Sequence, residues 1–180
     1  MLFSLSRRRE WRETIERLYG AIVAQARLPV FYARLKVPDT VEGRFDLLVL
    51  HVYLLFRRLS GEEPETRAIG QGVFDRFVAD LDDSLREMGT GDLAVPKRMR
   101  AMGEAFYGRA TVYDAALRSA DEAALADALL RNVFSGEQGA EGAAGKLAHY
   151  VKRAAAALAA QGTGAIVQNV PVWPPVEIDE

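Results

Sequence analysis

Between Phe45 and Leu59 the chain reads FDLLVLHVYLLFRRL, and this run constrains the fold more than any other. A helix apolar on nearly every side must be covered on several sides, so it belongs at the centre of a bundle rather than on a surface. Its longest apolar part, Leu47–Phe56, is interrupted by His51 and is about half of the ~20 residues that a membrane span needs. A lone histidine in such a helix reads as a hydrogen-bonded core residue.

The neighbouring segments supply the covering faces. Trp11, Ile15, Leu18, Tyr19, Ile22, Val23 and Ala26 recur at three- and four-residue steps and predict a helix over 10–27. Pro29 and Pro38 bracket a turn or two of helix at 30–36. After the central helix at 41–59, Ser60-Gly61 stops it and Pro64 restarts the chain. A long helix at 65–88 turns Ile69, Val73, Phe74, Phe77, Val78, Leu81, Leu85 and Met88 inward, with Gly89 placed as a left-handed cap. Gly70 and Gly72 suit a close approach by a neighbour.

From Pro96 the next helix carries Met99, Met102, Phe106, Tyr113 and Leu117, with a kink or tight crossing expected at Gly108. Ser119 and Glu122 have capping-box spacing and predict a helix to about Val133. An alanine-rich helix is expected over 145–161. The prolines of 162–180 predict an extended tail, laid over the body by Ile166, Val167, Val170 and Trp173. The reading is an all-α, single-domain protein of six or seven helices. It has a flexible basic lead at 1–9, a helical domain at 10–161 and the extended tail.

Composition removes several function classes. With no cysteine there is no disulfide, thiol catalysis or thiolate-bound metal. A net charge of −2 gives no general field for nucleic acid, so DNA is not an expected partner. The charge is uneven, however. Residues 1–36 hold eight Lys/Arg against three Glu, whereas Glu177, Asp179 and Glu180 close the chain. The N-terminus places its apolar residues before its arginines, the reverse of a secretory signal. The expected location is therefore the cytoplasm, with peripheral contact between the basic N-terminal region and anionic lipid.

Motifs for catalysis fail on their residues. Gly139–Lys146 has the outline of a phosphate loop, but Ala140 occupies the first glycine position and Leu147 replaces the magnesium-binding Ser/Thr. Gly70-Gln71-Gly72 lacks the third glycine of a dinucleotide fingerprint. His51 and His149 have no partner at metal-ligand spacing, and Asp82 and Asp83 point about 100° apart on a helix. No cofactor, metal or catalytic residue is expected.

The charge layout of Phe74–Arg109 points instead to binding. Asp75, Asp80, Asp82, Asp83 and Glu87 crowd the C-terminal half of one helix, and Lys97, Arg98, Arg100 and Arg109 begin or line the next. Both groups sit at the unfavourable end of a helix dipole, a local conflict of the kind that marks functional positions. Either these charges meet a partner or the two helices pair antiparallel and neutralise each other. Met88, Met99 and Met102 add adaptable apolar surface nearby.

From Phe45 to Phe134 the residues resemble the ubiquinol–cytochrome c chaperone family, assembly factors for the cytochrome b subunit of the bc1 complex. The resemblance rests on the order of HVYLLFRRL, FDRFVADLDDSLREMG, GDLAVPKRMRAMGEAFYGR, Tyr113-Asp114 and ALLRNVF. It implies an all-α, non-enzymatic chaperone for newly made cytochrome b, with a small assembly partner or the ribosome as further partners, and the brevity of the chain points to a bacterial member. Candidate client contacts are Asp80, Asp82, Asp83, Lys97, Arg98, Arg100 and Arg109. Tyr113, Asp114, Arg131 and Asn132 match the family pattern, and a buried polar network accounts for them equally well. The alternative is a helical carrier holding a lipid, quinone or haem in an apolar cavity.

Overall fold

The computed structural model describes residues 2–87, 89, 94–119, 121 and 123–176. These form eight helices and no strand. They are α1 (Leu2–Ala26), α2 (Pro29–Ala33), α3 (Val41–Ser60), α4 (Pro64–Glu87), α5 (Val95–Arg118), α6 (Ala123–Val133), α7 (Glu141–Ala160) and α8 (Thr163–Gln168). The fold is all-α.

Helix α3 is the axis, packed against α1, α4, α5, α6 and α7. Leu47, Leu50, Val52, Leu55 and Leu59 are wholly buried although they lie on different sides of it. Burying each such side chain contributes roughly 1.5–3 kcal/mol, so this helix anchors the core. Its start is set locally: Thr40 Oγ1 accepts the Gly43 amide at 3.1 Å. A Cβ on Gly43 would stand 2.0 Å from the Pro38 carbonyl oxygen, so only glycine permits the entering chain to cross there. Gly70 and Gly72 of α4 do admit close neighbours, the side chains of Leu59 from α3 and Ile15 from α1.

His51 is fully buried and hydrogen-bonded at both ring nitrogens, as a core histidine should be. Nδ1 donates to the Leu47 carbonyl at 2.7 Å, so Nε2 accepts the Tyr150 hydroxyl at 2.9 Å. Gln25 Nε2 donates to that hydroxyl at 3.0 Å, completing a chain from α1 through α7 to α3.

Four local expectations change. Helix α1 begins at Leu2, ahead of the expected start at Glu10, because nothing in 2–19 breaks a helix and Arg, Leu and Glu favour one. Gly108 does not interrupt α5, which continues through it to Arg118. Helix α6 starts at Ala123, whose amide is accepted by Asp121 Oδ1 at 2.9 Å rather than by Ser119. Ser119 Oγ accepts the Asp121 amide instead, and Glu122 lies outside the described residues. The tail contains α8, since its prolines begin only at Pro171, beyond that helix.

The segment after α7 is tied down from three directions. Arg17 Nε and Nη2 donate to the Asn169 and Val167 carbonyls, each at 2.6 Å. Arg58 donates to the Leu158 and Gln161 carbonyls at the end of α7. The Gln161 amide pairs both ways with the backbone of Val172 at 2.8 Å. Trp173 then packs edge-on against His51, with ring centroids 5.1 Å apart. Ile166 is buried, whereas Val170 remains exposed. Met88, Glu177, Asp179 and Glu180 lie outside the described residues.

Candidate functional site

A cleft of about 620 Å³ opens between α1, α3, α4, α5 and the end of α6. Val23, Phe45, Leu48, Leu81, Leu85 and Met102 supply apolar walls. Beside it, Phe74, Phe77 and Phe106 interlock, the closest centroids being 4.7 Å apart for Phe74 and Phe106. These rings join α4 to α5.

The polar rim is built around Asp46. Arg109 Nη1 of α5 donates to Asp46 Oδ1 of α3 at 2.5 Å, and both side chains are largely buried. Burial pushes the Asp46 carboxyl up to about 6, against the opposing pull of Arg109. Arg27, Glu42, Arg44, Asp80, Arg131 and Asn132 also line the cleft. Arg44 is engaged by Asp39 at 2.7 Å, whereas Arg27 and Arg131 form no ion pair with any described residue. The space therefore offers apolar contact together with charges of both signs, the make-up of a binding cleft.

The candidate charges do not gather into one surface. Asp80 faces the cleft, accepting the Tyr19 hydroxyl at 2.8 Å and lying 3.5 Å from Arg76 Nη1. Asp82 pairs with Arg86 at 2.7 Å on the same helix, and Asp83 is exposed. Thus α4 answers Asp80 and Asp82 from itself and from α1. On α5, Lys97 and Arg98 are exposed, and Arg100 lies 3.8 Å from Glu104 in an exposed pair. Arg109 alone of the basic set turns inward, to α3 rather than to the acidic helix.

The four polar residues of the family pattern divide. Asp114 binds α5 to α3 by accepting Tyr53 at 2.9 Å and Arg57 Nε at 2.7 Å. Tyr113 is buried, which raises its hydroxyl to about 12 against the opposing pull of Arg109 and of Asn132 on α6. Arg131 is exposed at the cleft. Three of the four therefore join helices, and two, Arg131 and Asn132, reach the cleft.

Asp46 was missed by sequence reasoning, although it is the one acid between Phe45 and Leu59. A charge embedded in an otherwise apolar helical run is a legible signal for a buried ion pair. Its partner Arg109, 63 residues away, could not be assigned without the fold.

The ubiquinol-cytochrome C chaperone family model matches residues 33–173, which include the central helix, the cleft walls from α3 to α6 and the tied-down tail to Trp173. Ubiquinol-cytochrome-c reductase complex assembly factor 1 of Xenopus laevis is 27% identical over 119 residues, 66% of this chain and 59% of that protein. Its Mus musculus counterpart is 28% identical over the same length but is matched over only 40% of its own. The crystal structure of the Cbp3 homolog from Brucella abortus is 38% identical, with a TM-score of 0.88, over 99% of this chain and 100% of that one. With this fold and this match, the chain belongs to the ubiquinol–cytochrome c chaperone family.

Proposed function

We propose that the protein is an assembly chaperone for the bc1 complex that binds newly made cytochrome b and acts without turnover. The observation that carries the reading is the cleft, lined by apolar side chains and by charges of both signs. Such a client presents apolar transmembrane helices joined by loops that are basic on the cytoplasmic side. The apolar walls suit the former; Asp80, with Asp82 and Asp83 on the same helix, suits the latter. Lys97, Arg98 and Arg100, exposed at the start of α5, are kept as candidate client contacts, and the basic N-terminal region rests against anionic headgroups in this reading. No helix among the described residues is long and apolar enough to cross a membrane, so membrane contact in this reading is peripheral.

Ser84, half-buried in the cleft wall, provides the test. Ser84→Trp fills the space without removing a core side chain. Cytochrome b recovered with the tagged, folded variant is expected to fall about tenfold, a loss of about 1.4 kcal/mol of binding. Unchanged recovery overturns the cleft as the client site.

The volume of the cleft also favours a second reading, a carrier for a lipid, quinone or haem. For haem, His51 is no ligand there, because it is wholly buried with both ring nitrogens engaged, which leaves the Met102 thioether in the cleft wall as the candidate. Ligand mass or visible absorbance co-purifying with the chain, and lost in Ser84→Trp, would select this alternative.

A further inference from the structure

The cleft contains cations that the fold does not use. Elsewhere arginines tie the bundle together: Arg17 and Arg58 donate to carbonyls, and Arg57 and Arg109 meet carboxylates. Arg27, one residue past α1, and Arg131, in the last turn of α6, both line the cleft. Their side chains make no hydrogen bond or ion pair with any described residue.

An arginine at a helix C-terminus often does no more than answer the last carbonyls. Here those carbonyls are answered by other groups. At the end of α1 the Arg27 and Leu28 amides donate to the Val23 and Gln25 carbonyls at 3.1 Å, and the Tyr32 hydroxyl donates to that of Ala26 at 2.8 Å. At the end of α6 the Phe134 and Gly136 amides donate to Leu129 and Leu130 at 3.4 and 2.9 Å. The two guanidinium groups are left over.

Charge sets the sign of what they can take. Of the acids in the cleft, Asp46 is held by Arg109, and Asp80 by Tyr19 and Arg76. Glu42 alone forms no ion pair with a described residue, so two free guanidinium groups stand against one free carboxylate. Ser135 lines the cleft just beyond α6, with φ 52° in the left-handed region that a non-glycine residue enters at a cost. Its hydroxyl has no partner among the described residues and is a further donor.

The ligands of the carrier reading do not fit this set equally. A quinone is uncharged and gains nothing from two guanidinium groups. Haem has carboxylates for them, but its iron finds only the Met102 thioether in the cleft wall. A phosphate monoester carries about −1.5 to −2 charge at neutral pH and three acceptor oxygens, which suits two guanidinium forks and a hydroxyl. A hydrocarbon chain suits the remaining walls, Val23, Leu48, Leu81 and Leu85, in a cleft of ordinary ligand-site size.

We infer that the cleft binds a single-chain anionic lipid, its phosphate on Arg27 and Arg131 and its hydrocarbon chain along the apolar walls. The inference rests on the carrier reading and names its ligand class.

The test uses the purified full-length chain and probes kept below micelle-forming concentration. Binding of a fluorescent lysophosphatidate is compared with that of the monoacylglycerol bearing the same labelled chain, and inorganic phosphate is added as a competitor. Lysophosphatidate should bind at least about tenfold more tightly, and the preference should shrink to within about twofold in Arg27→Gln/Arg131→Gln. Neither side chain holds the fold, so this variant should melt within a few degrees of the parent. Arg67→Gln, an exposed arginine on the first half of α4, should keep the preference. Ser84→Trp should lose both lipids. Equal binding of the two lipids, or a preference that survives in the double variant, overturns the inference and leaves a carrier of uncharged ligands. Unchanged binding to Ser84→Trp overturns it as adsorption outside the cleft. Phosphate that competes as well as unlabelled lysophosphatidate overturns it in favour of a free-anion site. No binding of either lipid overturns it together with the carrier reading, while the client reading is judged separately by cytochrome b recovery.

Discussion

Asp46 and His51 share one helix and respond oppositely to acid. The Asp46 carboxyl is raised by burial to about 6, above the ~3.9 of an unfolded chain, so its charged form is penalised in the fold. Below about pH 6 the folded protein takes up a proton that the unfolded chain does not, and stability from this group rises down to about pH 4. His51 is lowered by burial to about 4, below its unfolded ~6.5. Between those values the unfolded chain binds the extra proton, so stability from His51 falls with acidification. The two slopes oppose each other over the same window. Urea titrations from pH 7 to 4 should therefore show Asp46→Asn losing stability more steeply than the parent, by roughly 2 kcal/mol across the window. His51→Gln keeps only the Asp46 slope and should gain stability on acidification where the parent stays nearly level, whatever its starting stability. Parallel curves for all three proteins would contradict these assignments.

At the scale of elements, the long helices were legible because their apolar residues repeat at helical spacing around one fully apolar axis. What was not legible depended on distant partners or on what glycine and proline tolerate. Gly108 was read as a kink or tight crossing; α5 runs on through it, and no atom lies within 4 Å of where its Cβ would stand, so no described neighbour crosses tightly there. The tail prolines forbid helix only from Pro171 onward, leaving room for α8. The paired charges around the α4–α5 turn looked like one surface, but Asp80 turns to Tyr19 and Arg109 to Asp46. Their partners lie on α1 and α3, which no spacing within 74–109 could reveal. The glycines yield a paired prediction. Gly43→Ala sets a Cβ against the Pro38 carbonyl and should destabilise by about 1–3 kcal/mol or more. Gly103→Ala meets open space and should stabilise by roughly 0.5–1 kcal/mol. Chemical denaturation of the two variants checks both signs.

For the whole molecule, the bundle works as a frame. Helix α3 holds α1, α4, α5, α6 and α7 around a core, and the Asp46–Arg109 and Asp114–Arg57 pairs bind α5 to it. That frame keeps open a cleft suited to an apolar, charged client. The chain spans 59% of the Xenopus relative and 40% of the mouse one. The proposed activity, a chaperone for cytochrome b, is therefore best tested on this chain itself. The direct measurement is deletion of its gene, followed by separate quantification of cytochrome b and the other membrane cytochromes, with the intact gene restored as control. The account predicts selective loss of cytochrome b, recovered on restoration. Equal loss of all cytochromes, or no loss, would contradict it.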